Sequence, residues 1–514
     1  MSLARDIATV GGGTLISRLL AYLRDAWIAA LLGAGPLSGA FFVVLQLVNF
    51  FRRLLSEGAL NSAFVPIWLK LRSGEDGAAN ASRFTVSALA TVGTITGIIV
   101  LIATVCAPFL VAAIAPGFPP AQREQTVLLL MIVAPYILFA GLVAVAAAAL
   151  SAEGRVFAVA IGTVLFNVVL LLTLAIVARS TEPFWISFWL AVAVVIAGLI
   201  QLIVAGAALA ANRTWRRPRI HVPDQIGTFI RRALPGLIAT GIPQLKLIAA
   251  TAIASASPAA VSWLYYANRL YELPLGVASI AVAAVIVPHI STRVHSGDDT
   301  ALAAAQSRAY EIAAGLALPA AAGFALLADQ IAGGLFERGA FTAQDTAAVA
   351  GALMAICIGL PGHVLEKVLG AVSFAHEDTR TPMLAALAGL ATAIVAGVLL
   401  FPRFGHIGVA GAIGASGWVG AGLLTIILRR RGWVRLDATA SRRLPRIGLA
   451  TVIMAGAVIF ASQAFGPTVH MSSPARLAIL ITLVVLGVAF YLIALQLLGV
   501  TKVKDLAAAV RQRT

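Results

Sequence analysis

Residues Phe41 to Trp68 read FFVVLQLVNFFRRLLSEGALNSAFVPIW. A bilayer needs about 20 mostly apolar residues to cross it, and this stretch has them, yet Arg52, Arg53 and Glu57 lie well inside it. A charge at the bilayer centre costs about 2.5 to 3.5 kcal/mol on insertion scales, so such residues face a bundle interior or a watery cavity. The stretch predicts a membrane helix with a polar inner face.

The surrounding chain fits that reading. Across 514 residues, 60% are hydrophobic and 11% charged, and the mean hydropathy is +0.97. These values describe a polytopic all-α membrane protein and exclude a soluble one. The 20-residue ruler finds 14 apolar segments, the first at 7–32, the seventh at 229–255, the eleventh and twelfth at 382–401 and 407–428, and the last at 476–499. MSLARDIATVGGGTLISR, at the start, lacks the basic, apolar, small-residue pattern of a cleaved signal, so the first segment is expected to be retained. Cys106 and Cys357 sit in separate apolar segments and are read as packing residues, with no metal-ligand spacing and no disulfide framework.

The net charge of +16 does not indicate nucleic acid, because the basic residues sit in short loops between apolar segments. Of the 37 lysines and arginines, 25 fall in loops on the side of the termini, 5 on the opposite side and 7 within spans. That asymmetry is the positive-inside pattern and predicts both termini in the cytoplasm. The runs Arg213 to Arg219 and Arg429 to Arg446 act first as topology determinants and also suit anionic headgroups. A weak internal echo, about 220 residues on, pairs Asn49 with Asn268, Arg52 with Arg269, Glu57 with Glu272 and Pro66 with Pro288, as in transporters built from two like halves.

The intramembrane bases are Arg18, Arg24, Arg52, Arg53, Lys246, Arg269 and Lys367, and the acids are Asp25, Glu57, Glu272 and Glu366. Arg18 and Asp25 share a helical face, while Arg53 with Glu57 and Arg269 with Glu272 are spaced to pair within their helices. Pairing every acid leaves three bases over, and a mobile anion is their natural partner. Arginine suits phosphate because its planar fork of donors stays charged at physiological pH. There is no Gly-Lys dipeptide, HExxH or CxxC, and the loops are too short for an ATPase domain, so transport would draw on an ion gradient or the membrane potential. Glu337 beside Arg338 reads as a loop-surface pair. The histidines show no ligand spacing, although His363 lies near Glu366 and Lys367 and can titrate in the cavity.

SRLLAYLRDAWIAALLGAG from Ser17, the Phe41 stretch, APGF from Ala115, SWLYYANRLYELPLGV from Ser262 and LFERGAFTAQD from Leu335 together closely resemble the MurJ (MviN) family of lipid II flippases. This family belongs to the superfamily of multidrug, oligosaccharidyl-lipid and polysaccharide exporters. The resemblance implies two six-helix lobes, residues 1–211 and 212–431, around a cationic cavity. Residues 432–514 would add two helices with a groove for a polyprenyl tail. It implies a transporter in the bacterial inner membrane, not an enzyme, carrying lipid II to the periplasmic leaflet by alternating access. No cofactor is implied; membrane lipids and peptidoglycan-synthesis proteins are the partners, with function as a monomer. Carried onto matching positions, Arg18, Arg24, Arg52 and Arg269 would contact the pyrophosphate, with Glu57 as their acidic organiser; the reading of the intramembrane charges adds Arg53 to the substrate-binding set, Asp25 and Glu272 as charge organisers, and Lys246, Lys367 and Glu366 as secondary cavity residues.

Two departures bear on coupling. Many members have an Asp just before the aromatic pair, where this chain has Gly39 ahead of Ala40, Phe41 and Phe42. The sodium site described in some members needs an acid in span seven and Asn or Asp in span eleven. Span seven here has Lys246 but no acid, and TPMLAALAGLATAIVAGVLLF has neither Asn nor Asp, which argues against sodium coupling. An inside-negative potential still assists outward movement of an anion by about 2.3 kcal/mol per charge per 100 mV. The alternatives are an exporter of another polyprenyl-pyrophosphate-linked oligosaccharide and a membrane glycosyltransferase using the same lipid. The second is disfavoured because the outer-loop acids Glu124, Glu182, Asp329, Glu337 and Asp345 form no paired pattern.

Overall fold

A computed structural model describes residues 2–56, 59–178, 182–211, 225–282, 299–465 and 473–500. Glu57, Pro288, His289, His295 and the arginine run at 213–219 lie outside the described residues. Within them the regular structure is helical: α1 (Ser2–Leu32), α2 (Pro36–Ser56), α3 (Ala59–Arg72), α4 (Gly77–Val105), α5 (Ala107–Ile114), α6 (Pro120–Val133), α7 (Pro135–Ala152), α8 (Val156–Val177) and α9 (Pro183–Ala210). There follow α10 (Gln225–Ala254), α11 (Ala260–Ala281), α12 (Asp299–Leu326), α13 (Ala328–Phe336), α14 (Ala343–Cys357), α15 (Leu360–Ala375), α16 (Arg380–Arg430), α17 (Ala438–Phe465) and α18 (Ser473–Leu497). Among the described residues 10 helical stretches are long and apolar enough to cross a membrane, or 11 with the bent α10. Phe109, Ile176, Phe460 and Leu497 are more than three-quarters exposed, as expected of side chains facing lipid tails.

Backbone breaks fall where the residue chemistry puts them. Helix α16 runs 51 residues but turns at Gly405 (φ 54°, ψ −138°), just after Pro402. A side chain disfavours that left-handed φ, and glycine tolerates it. The spans read from sequence as 382–401 and 407–428 are thus two limbs joined at Gly405. In α10, Pro235 and Pro243 remove backbone donors, and its limbs Gln225–Leu237 and Thr240–Ala254 bend by 45°.

The chain forms two compact units, Met1–Ser262 and Trp263–Thr514. In the first, α3, α4 and α10 meet through Phe64, Phe84 and Phe229, with ring centroids 4.9 to 6.1 Å apart. The APGF turn rests on residues 255 and 256. Gly117 N donates to Ser255 Oγ at 2.9 Å, and a Cβ on Gly117 would lie 2.4 Å from Ala256 N. That motif is therefore a close backbone approach that only glycine permits.

In the second unit α15 and α16 touch backbone to backbone. A Cβ on Gly359 would lie 2.2 Å from Gly414 Cα, and one on Gly362 would lie 2.7 Å from Trp418 N. Small residues allow this approach, which supplies packing where lipid offers no hydrophobic drive. Farther along the same seam His363 and Glu366 lie over Gly417 and Gly420, whose added Cβ atoms would meet them at 2.6 and 2.9 Å. Helix α17 is fastened to α12 by Arg443 and Glu311 at 3.2 Å, and α18 by Tyr491 Oη donating to Gly315 O at 2.9 Å.

The LFERGAFTAQD motif builds the turn from α13 into α14. Gly339 takes φ +60°, and Thr342 caps α14 in a reciprocal capping box with Asp345. The expected pairing of Glu337 with its neighbour Arg338 does not occur. Glu337 binds Arg476 at 2.7 Å and accepts from Thr346 Oγ1 at 2.8 Å. Arg338 turns back to donate to Gly334 O at 2.9 Å, where the end of α13 leaves carbonyls without helical partners.

Candidate functional site

Three groups of the intramembrane charges can be placed, two in the first unit and one in the second. On α1, Arg24 is enclosed. Its Nε and Nη2 donate to Asp25 Oδ1 at 3.0 and 2.7 Å, and Nη1 donates to Asn167 Oδ1 on α8 at 3.1 Å. Asn167 Nδ2 in turn donates to Ser17 O and Oγ, both at 3.2 Å, and to Thr163 O at 3.1 Å. Arg24 is 5% exposed and Asp25 fully buried. The carboxylate placed by spacing on the face of Arg18 is thus engaged by its chain neighbour. Arg18 is half-buried and makes no hydrogen bond or ion pair among the described residues, so its whole guanidinium fork is available.

Helix α2 buries Ala40 to Leu45 and Val48, which leaves Arg52 and Arg53 half-buried beyond that apolar run. Arg52 donates from Nε and Nη2 to Asn49 Oδ1, one turn back, at 3.4 and 3.2 Å. This neutral acceptor orients the guanidinium. Glu57, the expected pair of Arg53, lies outside the described residues. Lys246 is half-buried on α10.

At the start of α2, Gly39 sits in a compact polar knot. Ser38 Oγ and Ser262 Oγ are 3.0 Å apart, and Gln122 Nε2 donates to Pro36 O at 3.0 Å. A Cβ on Gly39 would lie 3.0 Å from Gln122 Nε2 and 3.4 Å from Ser262 Oγ. The Gln122 amide therefore occupies the space that a side chain at residue 39 would need.

In the second unit, Arg269 Nη1 and Glu272 Oε2 are 3.3 Å apart, one helical turn along α11, and both side chains stay about a quarter exposed. This is the pair their spacing predicts. Between them in sequence, buried Tyr271 places Oη 2.7 Å from His363 Nδ1 on α15, and Nδ1 also lies 3.1 Å from Gly359 O. A bare Nδ1 accepts from the phenol, whereas a protonated Nδ1 donates, to the Gly359 carbonyl or to the phenol oxygen, so the tautomer decides which of the two contacts is a hydrogen bond. Glu366 is half-buried and Lys367 exposed on α15.

Sequence reasoning missed Asn167 and Gln122. Asn167 did leave a signal, a lone amide within the apolar run VLFNVV, since a polar group at that depth needs a partner. Gln122 left none, because its role is set by the missing side chain of a residue 83 positions earlier.

Such an arrangement can take an anion. Half-buried guanidiniums, one without a partner and one held by a neutral amide, present forked donors suited to phosphate oxygens. The family model described as lipid II flippase MurJ matches residues 28–479. The "Probable lipid II flippase MurJ" of Rhizobium meliloti (strain 1021) is 39% identical over 470 residues, covering 90% of this chain and 87% of that one. The "Lipid II flippase MurJ" of Burkholderia cenocepacia is 29% identical, covering 97% and 98%. In fold, the chain resembles a solved lipid II flippase MurJ in an inward closed conformation, with a TM-score of 0.81 at 21% identity over 94% of this chain and 97% of that one. It also resembles an inward-facing multidrug resistance MATE family transporter of the MOP superfamily, with a TM-score of 0.66 at 15% identity over 83% and 98%. A match of that extent, on a multi-pass helical chain with guanidiniums inside its spans, means that the chain belongs to the lipid II flippase MurJ family.

Proposed function

We propose that this protein carries lipid II, a polyprenyl-pyrophosphate bearing a peptidoglycan precursor, from the cytoplasmic to the periplasmic leaflet of the inner membrane. The observation that carries the reading is the family match over residues 28–479, which takes in Arg52 and Arg269 and stops just short of Arg18 and Arg24. Arg18, Arg52, Arg53 and Arg269 take the pyrophosphate. Arg24, held by Asp25 and Asn167, shapes the face on which Arg18 stands and adds its field to the site. Glu57 and Glu272 re-pair with arginines once the headgroup leaves, which resets the site without a second ligand. The termini lie in the cytoplasm, as the basic loops indicate. Two lobes, 1–211 and 212–431, rock in alternating access, and residues 432–514 guide the tail. The inside-negative potential drives the anionic headgroup outward.

The test is conditional depletion of the native flippase in a bacterium supplied with this chain. Wild type should restore growth and outward exposure of lipid II, whereas Arg52→Ala should restore neither despite normal membrane levels. Failure of wild type to restore either would overturn the substrate assignment.

A further inference from the structure

Within the second unit, α12, α15, α16 and the start of α17 enclose a cavity of about 300 Å³. Its floor is apolar and closely packed, with Ala317 2% and Leu369 1% exposed. Its mouth is rimmed by exposed side chains, Trp418, Leu436 and Arg429. This volume and composition, apolar walls with a few convergent polar groups, are those of a small-molecule site.

Two of those polar groups lack partners. Tyr310 is 8% exposed, lines the cavity, and its Oη has no hydrogen-bond partner among the described residues. A buried hydroxyl left in that state costs free energy that a bound acceptor would recover. Arg429 stands at the mouth and makes no hydrogen bond or ion pair among the described residues. Of the nearby arginines, Arg431 binds Asp378, Arg443 binds Glu311 and Arg446 donates to Leu498 O, while Arg430 does not line the cavity.

We propose that this cavity is a binding site for an anionic glycerophospholipid, with one acyl chain against Ala317 and Leu369 and its phosphate between Arg429 and Tyr310 Oη. Charge complementarity selects the occupant. One unpaired guanidinium and one phenol match a phosphodiester bearing a single negative charge, whereas a pyrophosphate needs several cations. Basic pockets between membrane helices on the arginine-rich side recognise lipid headgroups in this way. The apolar floor requires a tail, which free phosphate lacks. A lipid seated there would touch α12, α15 and α16 at once and brace them where the 431–437 segment crosses.

The test uses the full chain, purified in a neutral detergent, with dioleoyl phosphatidylglycerol and dioleoyl phosphatidylcholine competing for it in native mass spectrometry. Wild type should retain phosphatidylglycerol at least about five-fold over phosphatidylcholine. Arg429→Gln should bring that ratio close to one, Tyr310→Phe should lower it about three- to five-fold, as expected for the loss of one hydrogen bond of ordinary net strength, and Arg430→Gln should leave it unchanged. Ala317→Phe, or Ala314→Phe if the first fails to fold, should block retention. Equal losses in Arg429→Gln and Arg430→Gln would overturn the site in favour of general surface charge. Full retention by the filled variants would remove the lipid from the cavity. Displacement of phosphatidylglycerol by a polyprenyl phosphate at lower concentration than by phosphatidylglycerol itself would assign the cavity to the transported lipid class and overturn the proposal.

Discussion

Replacing Asp25 by leucine separates the structural and transport roles of the α1 charges. In the native chain Arg24 is nearly enclosed and its shortest contact is 2.7 Å to Asp25. Removing one partner of a buried pair strands the other charge and costs about 3 to 5 kcal/mol, whereas replacing both by apolar residues is close to neutral. At about 2 to 4 °C per kcal/mol for a unit of this size, Asp25→Leu should lower the unfolding midpoint in detergent by about 6 to 20 °C. The double variant Arg24→Met, Asp25→Leu should recover most of that loss, leaving a coupling energy above about 1.5 kcal/mol in a double-mutant cycle. Its transport should nevertheless be impaired, because the field of Arg24 is gone from the face that carries Arg18. A midpoint lowered by less than about 1 kcal/mol equivalent in Asp25→Leu is the behaviour of an exposed pair and would refute the burial argument. Normal lipid II export by the stable double variant would remove Arg24 from the site.

The other expectations concern positions where the structure leaves a definite opening. Arg18 has no partner among the described residues, so Arg18→Gln should leave the unfolding midpoint within about 0.5 kcal/mol equivalent of wild type while export in a reconstituted assay falls; a large stability loss would mean that it has a structural partner. Gly39→Asp must displace the Gln122 amide 3.0 Å away and should cost about 1 to 3 kcal/mol, with Gly39→Asp, Gln122→Ser recovering most of it; an unaffected single variant would show that the space is open. For Asp378, in the 376–379 turn, burial pushes the carboxyl up, but hydrogen bonds from Thr381, Arg431 and Arg380 outweigh it and hold it below the ordinary 3.8. A depressed carboxylate stabilises fully above its unfolded pKa, and that contribution disappears as pH falls through the folded value. Thermal unfolding below about pH 4 should therefore be steeper in pH for wild type than for Asp378→Asn, and parallel curves would contradict the assignment.

What the sequence made legible was whatever depends on neighbours along one helix. Arg269 and Glu272 pair across one turn as their spacing requires, and the spans around Pro402 and Gly405 divide where glycine and proline chemistry divides them. Charges within the Phe41 to Trp68 stretch announced a polar interior because a lone intramembrane charge has few physical explanations. What stayed hidden depends on partners far along the chain. Asn167 takes up Arg24 from 143 positions away, and Glu337 ignores adjacent Arg338 for Arg476 on α18. Helical periodicity carries no information about either contact, since it fixes which face a residue occupies but not which helix that face meets. The vacancy at Gly39 was visible, while its filling by Gln122 required the packing of α6 against α2.

The central claim, that half-buried arginines carry the pyrophosphate headgroup across the membrane, is tested most directly in proteoliposomes. Lipid II is placed in the inner leaflet under an inside-negative potential, and its headgroup is followed with a membrane-impermeant probe outside. The account predicts protein-dependent export that quickens with the potential and is lost in Arg52→Ala, with the unfolding midpoint of the variant measured alongside to show that it is folded. Export by Arg52→Ala at the wild-type rate, or a rate indifferent to the potential in the wild type, would contradict it.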